Sequence, residues 1–240
     1  MRRSCIWLTR LLLPLAFAGF LMADDAPQIL KTVANTYQNL RSYYFEGATV
    51  SDTKMGASAS KNETKFAVAF QSPNLFRVEY VYPTAGNWIR TSNGTKTWRE
   101  RSITKDFSET AAVPEDIYMM DDSPITAFEK IDANLAHATL AGSEPVTVGV
   151  QAYDCDVIQG DLTDPGGAAG PTTMSTKLWI DKTRHLVLRE VSTSSSKSKG
   201  GVTNENTRTL TITRADVSQP VPASLFELTP DPVKGGKPKK

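Results

Sequence analysis

Beyond residue 40 the chain alternates bulky apolar residues with polar or small ones, the period-two pattern of half-buried strands. Segments 63–71 and 75–82 show it best. Phe66, Val68 and Phe70 alternate with Ala67 and Ala69, and Phe76, Val78, Tyr80 and Tyr82 alternate with Arg77, Glu79 and Val81. The pattern predicts strands over 43–50, 63–71, 75–82, 88–92 and 97–102, and again over 145–149, 153–160, 177–181, 186–193 and 207–215. Ser72-Pro73-Asn74, the stretch 83–87 and Asn93-Gly94 separate the first group. Asn-Gly is a strong hairpin signal. Short strands at regular spacing imply an antiparallel sheet with one aromatic face.

Helical spacing occurs in two regions. In 25–40, Ile29, Val33, Tyr37 and Leu40 make one apolar face, with Asp25 as cap and Pro27 in the first turn, where a missing N–H costs nothing. Segments 114–120 and 123–140 also read as helices. Ser123 caps the second, and Ile125, Phe128, Ile131, Leu135 and Leu140 form its stripe. Helices over a sheet either fill its core or close a cavity above it, and the pattern leaves both open. The directions of Trp88, Trp98 and Trp179 also stay open. Segments 164–173 and 192–206 are rich in Gly, Ala, Pro, Ser, Thr and Lys and read as mobile hairpin tips.

The two ends differ from the rest. Arg2, Arg3 and Arg10 precede an uncharged apolar run, 11–23, that stops at Asp24-Asp25. This reads as a cleavable export signal over 1–23, cut after Ala23, with cuts after Ala18 or Gly19 as rivals. The run is shorter than the ~20 apolar residues of a spanning helix, so an uncleaved anchor is the lesser reading. Cys5 precedes the run and cannot be the acylated first residue of a lipoprotein. Removing the signal leaves Cys155 alone, with no internal disulfide; a buried, inert thiol is the favoured role. The expected domain is 24–230, followed by a disordered basic tail, 231–240.

The chain holds 27 basic and 26 acidic side chains, and loss of the three signal arginines leaves 24 basic. This near-neutral balance argues against a nucleic-acid partner. His137 and His185 have no partner at metal-ligand spacing, and no CxxC, HExxH, GxSxG or phosphate-binding glycine loop occurs. Asp121-Asp122 reads as a solvated turn. The expectation is a protein that is not an enzyme and needs no metal or cofactor.

Several motifs, in order, carry a resemblance. They are Leu40-Arg-Ser-Tyr-Tyr-Phe45, Ser72-Pro-Asn-Leu-Phe76, Thr91-Ser-Asn-Gly-Thr-Lys-Thr-Trp98, Leu178-Trp-Ile-Asp181 and Phe226-Glu-Leu-Thr-Pro230. Together they resemble the outer-membrane lipoprotein carriers, the LolA-like proteins. The resemblance implies a mainly β fold with α: an incomplete antiparallel β-barrel covered by helices. An apolar cavity between sheet and lid would hold the acyl chains of a lipid or a lipid-anchored protein in the periplasm. Phe66, Phe70, Phe76, Val78, Tyr80 and Trp98 would line it, with Ile125, Phe128 and Leu135 in the lid. One position departs from the pattern. The carriers place an arginine before the Pro-Asn-Leu-Phe run, and Ser72 stands here, too short for the forked contacts of a guanidinium. The expected molecule is a monomeric periplasmic carrier. The alternative is a sensor or interaction module on the same fold that binds an envelope protein.

Overall fold

A computed structural model describes residues 25–121, 123–164, 172–197 and 201–229. The export signal, Asp122, most of the loop expected over 164–173, residues 198–200 and the tail from 230 onward lie outside the described residues. No described helix is long and apolar enough to cross a membrane.

A 15-residue helix, α1 (Asp25–Asn39), opens the described chain. A meander follows: β1 (Ser42–Met55), β2 (Ser58–Gln71), β3 (Leu75–Tyr82), β4 (Gly86–Asn93), β5 (Lys96–Arg101) and β6 (Asp106–Ala111). After a connecting segment the chain returns as a second meander: β7 (Leu135–Val148), β8 (Gln151–Asp164), β9 (Thr172–Asp181), β10 (Val187–Lys197) and β11 (Thr203–Asp216). Pairing of β1 with β11 joins the two into one eleven-stranded sheet, ordered β6-β5-β4-β3-β2-β1-β11-β10-β9-β8-β7. Every pairing is antiparallel, and β6 and β7 are the two edges, so the barrel is incomplete.

That order explains the cover. The chain leaves β6 at one edge and must reach β7 at the other. It does so across one face of the sheet, called here the inner face, through 3₁₀ helices Pro114–Met120 and Thr126–Lys130 and the one-turn α2 (Ile131–Asn134). Helix α1 lies on the same side. Its Ala26, Leu30, Val33, Ala34 and Tyr37 are buried in one apolar cluster with Phe45, Val68, Phe76, Ile125, Phe128, Ile158, Leu178, Leu210 and Ile212.

The outer face has a smaller cover. Past β11 the chain crosses β1–β4 as a strap, 217–229, with a 3₁₀ turn at Ala223–Phe226. Phe226 and Val221 are buried there with Ala69, against Tyr44, Leu75 and Leu225. The strap is pinned by directed bonds. The Val221 N–H donates to Ser42 Oγ (3.3 Å), Ser42 Oγ to the Gln219 carbonyl (3.3 Å), Thr91 Oγ1 to the Phe226 carbonyl (3.2 Å), and Asn93 Nδ2 to Glu227 Oε1 (2.8 Å).

Three expectations are corrected. The helix expected over 123–140 stops at Asn134, and Leu135 begins β7, whose register on β8 shifts at Ala136/Thr139 and Leu140/Gly142. Within the first shift His137 takes a left-handed φ of 52°. The loop expected over 192–206 is mostly paired sheet: β10 and β11 run together from Arg189↔Thr211 to Lys197↔Thr203. A segment with no assigned structure, 106–111, forms the edge strand β6. Elsewhere β3 matches the expected bounds, and β1 and β2 extend beyond theirs as a polar arm to Met55↔Ser58.

Candidate functional site

The site is built from the inner face of the first meander. Directly paired residues share a face, so the register assigns it. Tyr43↔Phe70↔Phe76, Phe45↔Val68↔Val78 and Gly47↔Phe66↔Tyr80 form three rows across β1, β2 and β3. Five of the expected lining residues therefore stand together. The Phe66 ring fills the space above Gly47: a Cβ on Gly47 would lie 2.5 Å from Phe66 Cζ and 2.4 Å from the Thr211 carbonyl. Only glycine fits at this β-bulge, where β1 shifts register on β11 between Glu46 and Gly47.

Trp98 is not part of that face. The ladder runs Phe76↔Ser92↔Thr97 on the inner side and Arg77↔Thr91↔Trp98 on the other. Trp98 is buried against the outer face, and its Nε1 donates to Glu109 Oε2 at 2.8 Å. Its inclusion in the lining is corrected on this register.

The cover supplies Ile125 and Phe128, each 1% exposed, and β7 supplies Leu135, 4% exposed. Leu135 reaches the cluster from a strand, not from a lid helix. It lies over Gly160 of β8, where an added Cβ would come within 2.9 Å of Leu135 Cγ. Phe76 and Val78 are equally closed off, at 0% and 2%. Most expected lining residues thus sit in a filled, covered core, while Phe70 and Tyr80 remain half-buried at its rim.

Sequence reasoning left out three aromatic residues of the site: Tyr37, Tyr43 and Phe45. Rings run in series from the cover to the rim. Phe128 meets Tyr37 at 5.3 Å, Tyr37 meets Phe45 at 6.2 Å, Phe45 meets Tyr43 at 5.4 Å, and Tyr43 meets Phe70 at 5.4 Å. Alternation within Tyr43-Tyr44-Phe45 is the signal that places Tyr43 and Phe45 on one face. Burial pushes the Tyr37 and Tyr43 phenols well above the ordinary range, so both stay neutral. The Tyr37 oxygen accepts the Val187 N–H at 3.1 Å, which ties α1 to the second meander.

The series of rings ends at a pocket of about 270 Å³ between the C-terminal end of α1 and the cover, lined among others by Tyr43, Phe70, Ile117 and Met120. Gln38, Arg41, Asp121 and Glu129 make its polar mouth. Burial, and next the nearby Asp121 charge, raise the Glu129 carboxyl above its usual range. Ser72, at the family's arginine position, donates its backbone N–H to the Arg41 carbonyl at 2.8 Å.

The cover is tied to the sheet by a few polar contacts. Asp116 Oδ2 accepts from Thr97 Oγ1 (2.6 Å) and the Val113 N–H (3.0 Å), and Arg90 Nη1 donates to the Met119 carbonyl (3.2 Å). Further along, Gln38 Nε2 of α1 donates to the Glu129 carbonyl at 2.6 Å.

Polar clusters elsewhere are structural in character. Ser192 Oγ donates to Glu190 Oε1 (2.8 Å), Glu190 is ion-paired with Arg208 (3.0 Å), and Thr176 is bonded to Ser192. Ser192 is 1% exposed, so its hydroxyl is closed to a substrate in this structure. His137 meets Asp161 at 2.9 Å on the exposed surface. Among the described residues no three His, Cys, Asp or Glu side chains are grouped to hold a metal ion. Cys155 is buried, and burial followed by the Asp181 charge pushes its thiol up to about 11.

No family model and no curated protein matches the chain. Solved structures do. An uncharacterized conserved protein from Thermus thermophilus is 15% identical, covering 85% of this chain and 94% of its own, with a TM-score of 0.42. A chain of the MucA/MucB complex of Pseudomonas aeruginosa is 12% identical over 85% of this chain, with a TM-score of 0.42; this chain spans 61% of its length. A LolA superfamily protein from Nitrosomonas europaea is 11% identical, covering 85% of this chain and 97% of its own, with a TM-score of 0.33. These likenesses are partial, and all the identities are low.

Proposed function

We propose that the chain is an exported, monomeric carrier that shelters the acyl chains of a lipid or a lipid-anchored protein in the periplasm. The carrying observation is the series of rings from Phe128 to Phe70, which ends at the 270 Å³ pocket beneath a separable cover. The lipid would enter there and displace 123–134. Its lining would be Phe66, Phe70, Phe76, Val78 and Tyr80, with Tyr37, Tyr43 and Phe45 added, and Ile125, Phe128 and Leu135 in contact from above.

Magnitudes support such an exchange. Withdrawing Ile125, Phe128 and Ile131 from the core forfeits about 1.5–3 kcal/mol each. Burying ten methylenes in their place returns roughly 8 kcal/mol at ~0.8 kcal/mol apiece. The two totals are comparable, so an acyl chain can substitute for the cover without unfolding the sheet. The cover is also built of 3₁₀ turns, whose hydrogen bonds are poorer than those of an α-helix.

The test is native mass spectrometry and solvent extraction of protein purified from its own envelope. A stoichiometric lipid, lost in Phe70→Asp at unchanged circular dichroism, is the expected result. Absence of any lipid overturns the reading.

A second reading is favoured by the arm formed where β1 and β2 continue to Met55↔Ser58 and β10 and β11 to Lys197↔Thr203. This four-stranded extension presents polar residues on both faces, a surface suited to an envelope protein partner. Pull-down of a stoichiometric protein that resists detergent, and that is lost when 51–62 is replaced by a short turn, supports this second role.

A further inference from the structure

The inner face changes chemistry along the first meander. The rows that are aromatic and aliphatic in β1–β3 continue as Val78↔Arg90↔Arg99↔Ser108 and Tyr80↔Trp88↔Arg101↔Asp106 in β4–β6. Three guanidiniums therefore share one side of two adjacent strands, β4 and β5. Arg90 and Arg99 stand directly opposite each other, and like charges so placed are destabilising. Glu100, between Arg99 and Arg101 in sequence, falls on the other face by alternation. The pocket formed on these strands therefore carries three arginines, with Asp106 and Glu100 as the carboxylates of its lining.

Arg99 and Arg101 are the two of these that face open solvent. Arg90 and Arg101 both lie over the Trp88 ring, with Cζ 4.0 and 5.5 Å from its centroid. All three border this pocket, of about 340 Å³, with Trp88, Glu100, Asp106, Phe107 and Ser108. Arg99 and Arg101 are exposed, and among the described residues neither has a carboxylate within ion-pairing distance. Trp88 stacks on Tyr80 (5.7 Å, 19°), and Tyr80 pairs with Phe66. A cationic pocket therefore adjoins the aromatic face.

We propose that Arg99 and Arg101, with Arg90 and Trp88, bind the phosphate group of an anionic amphiphile whose apolar part lies toward Tyr80 and Phe66. Guanidinium forks match phosphate oxygens two at a time. The placement of the apolar part rests on the carrier reading; the anion site stands on the arginines alone.

Calorimetry on the purified protein tests this, with dihexanoyl phosphatidic acid, dihexanoyl phosphatidylcholine and inorganic phosphate, each lipid below its micelle concentration. We expect phosphatidic acid to bind about tenfold tighter than phosphatidylcholine, a difference of ~1.4 kcal/mol. In Arg99→Gln/Arg101→Gln, two exposed positions, the preference disappears while the melting temperature does not fall. Competition by inorganic phosphate in the wild type, lost in the double variant, supports the same site and shows that free phosphate also enters it. Equal affinity for the two lipids in the wild type, or a preference kept by the double variant, overturns the proposal. So does arginine-dependent binding seen only with anionic vesicles, which marks a membrane-docking surface instead. If neither lipid binds, the carrier reading falls, and the phosphate titration alone decides the anion site: loss in the double variant upholds it, and no binding to the wild type rejects it.

Discussion

Where the strap crosses β1–β4, both faces of the sheet are covered, but by different means. The outer strap is fixed at Ser42, Thr91 and Asn93 by hydrogen bonds whose geometry permits one position. The part of the inner cover that holds Ile125, Phe128 and Ile131 joins the apolar cluster through contacts that have no required direction. Directed bonds are satisfied by one partner, whereas an apolar surface accepts any apolar group of suitable volume. On the carrier reading, the segment 123–134, held by one directed bond from Gln38 beside its apolar contacts, is the part that would exchange, and the strap the part that would stay.

The largest effect should come from Phe76→Glu. Phe76 is 0% exposed at the centre of the inner face, where no cation faces it in the ladder. An unpaired buried carboxylate is severely destabilising, so no cooperative thermal transition should remain. A folded Phe76→Glu protein would mean that the inner core opens without cost. Next come Phe128→Ala and Phe226→Ala, one from each cover, both 1% exposed. Each should lose about 3–5 kcal/mol in denaturant unfolding. The comparison predicts that Phe128→Ala alone raises lipid retention, because the acyl chain then displaces less apolar surface, and equal retention by the two variants would break it.

The smallest effect concerns pH. The Glu129 carboxyl is raised by burial and then by Asp121, so folding favours its protonated form. Its stabilising contribution is complete below the unfolded value of 4.5 and is lost as pH rises through the higher folded value. The cover over 123–134 should therefore exchange its amide hydrogens faster at neutral pH than in mild acid, after correction for intrinsic rates. Glu129→Gln should remove most of that dependence. An unchanged profile in Glu129→Gln would assign the effect to another group.

Much of the sheet was legible because burial writes a period onto sequence. Phe66, Val68, Phe70, Phe76, Val78 and Tyr80 are buried or half-buried on one face, and their alternation announced both strands and their shared side. Where that link fails, reading fails. The arm has both faces in water, so Ser51–Met55 and Thr203–Asn206 carry no alternation although they pair continuously. In β7 two register shifts change the parity, and the surviving spacing of Ile125, Phe128, Ile131 and Leu135 mimics a helix. Trp98 illustrates a third cause. The strand was evident, but its facing depends on how the Asn93-Gly94 hairpin closes, and the pairing Ser92↔Thr97 turns Trp98 outward. The arginines were visible individually; only the register brings Arg90 opposite Arg99.

The polar arm has a consequence of distance. β1 and β2 have 14 residues each and β3 has 8. At about 3.3 Å per residue the longer pair outruns its neighbour by roughly 20 Å. A partner grasping the tip at Gly56 would be held farther still from the ring series, roughly 40 Å along β1 from Tyr43 at about 3.3 Å per residue. It can neither block the pocket's mouth nor touch its contents, and it senses them only through strain carried along β1 and β2. On the two proposed readings taken together, the arm would act as a spacer that lets the molecule be gripped while its pocket stays free.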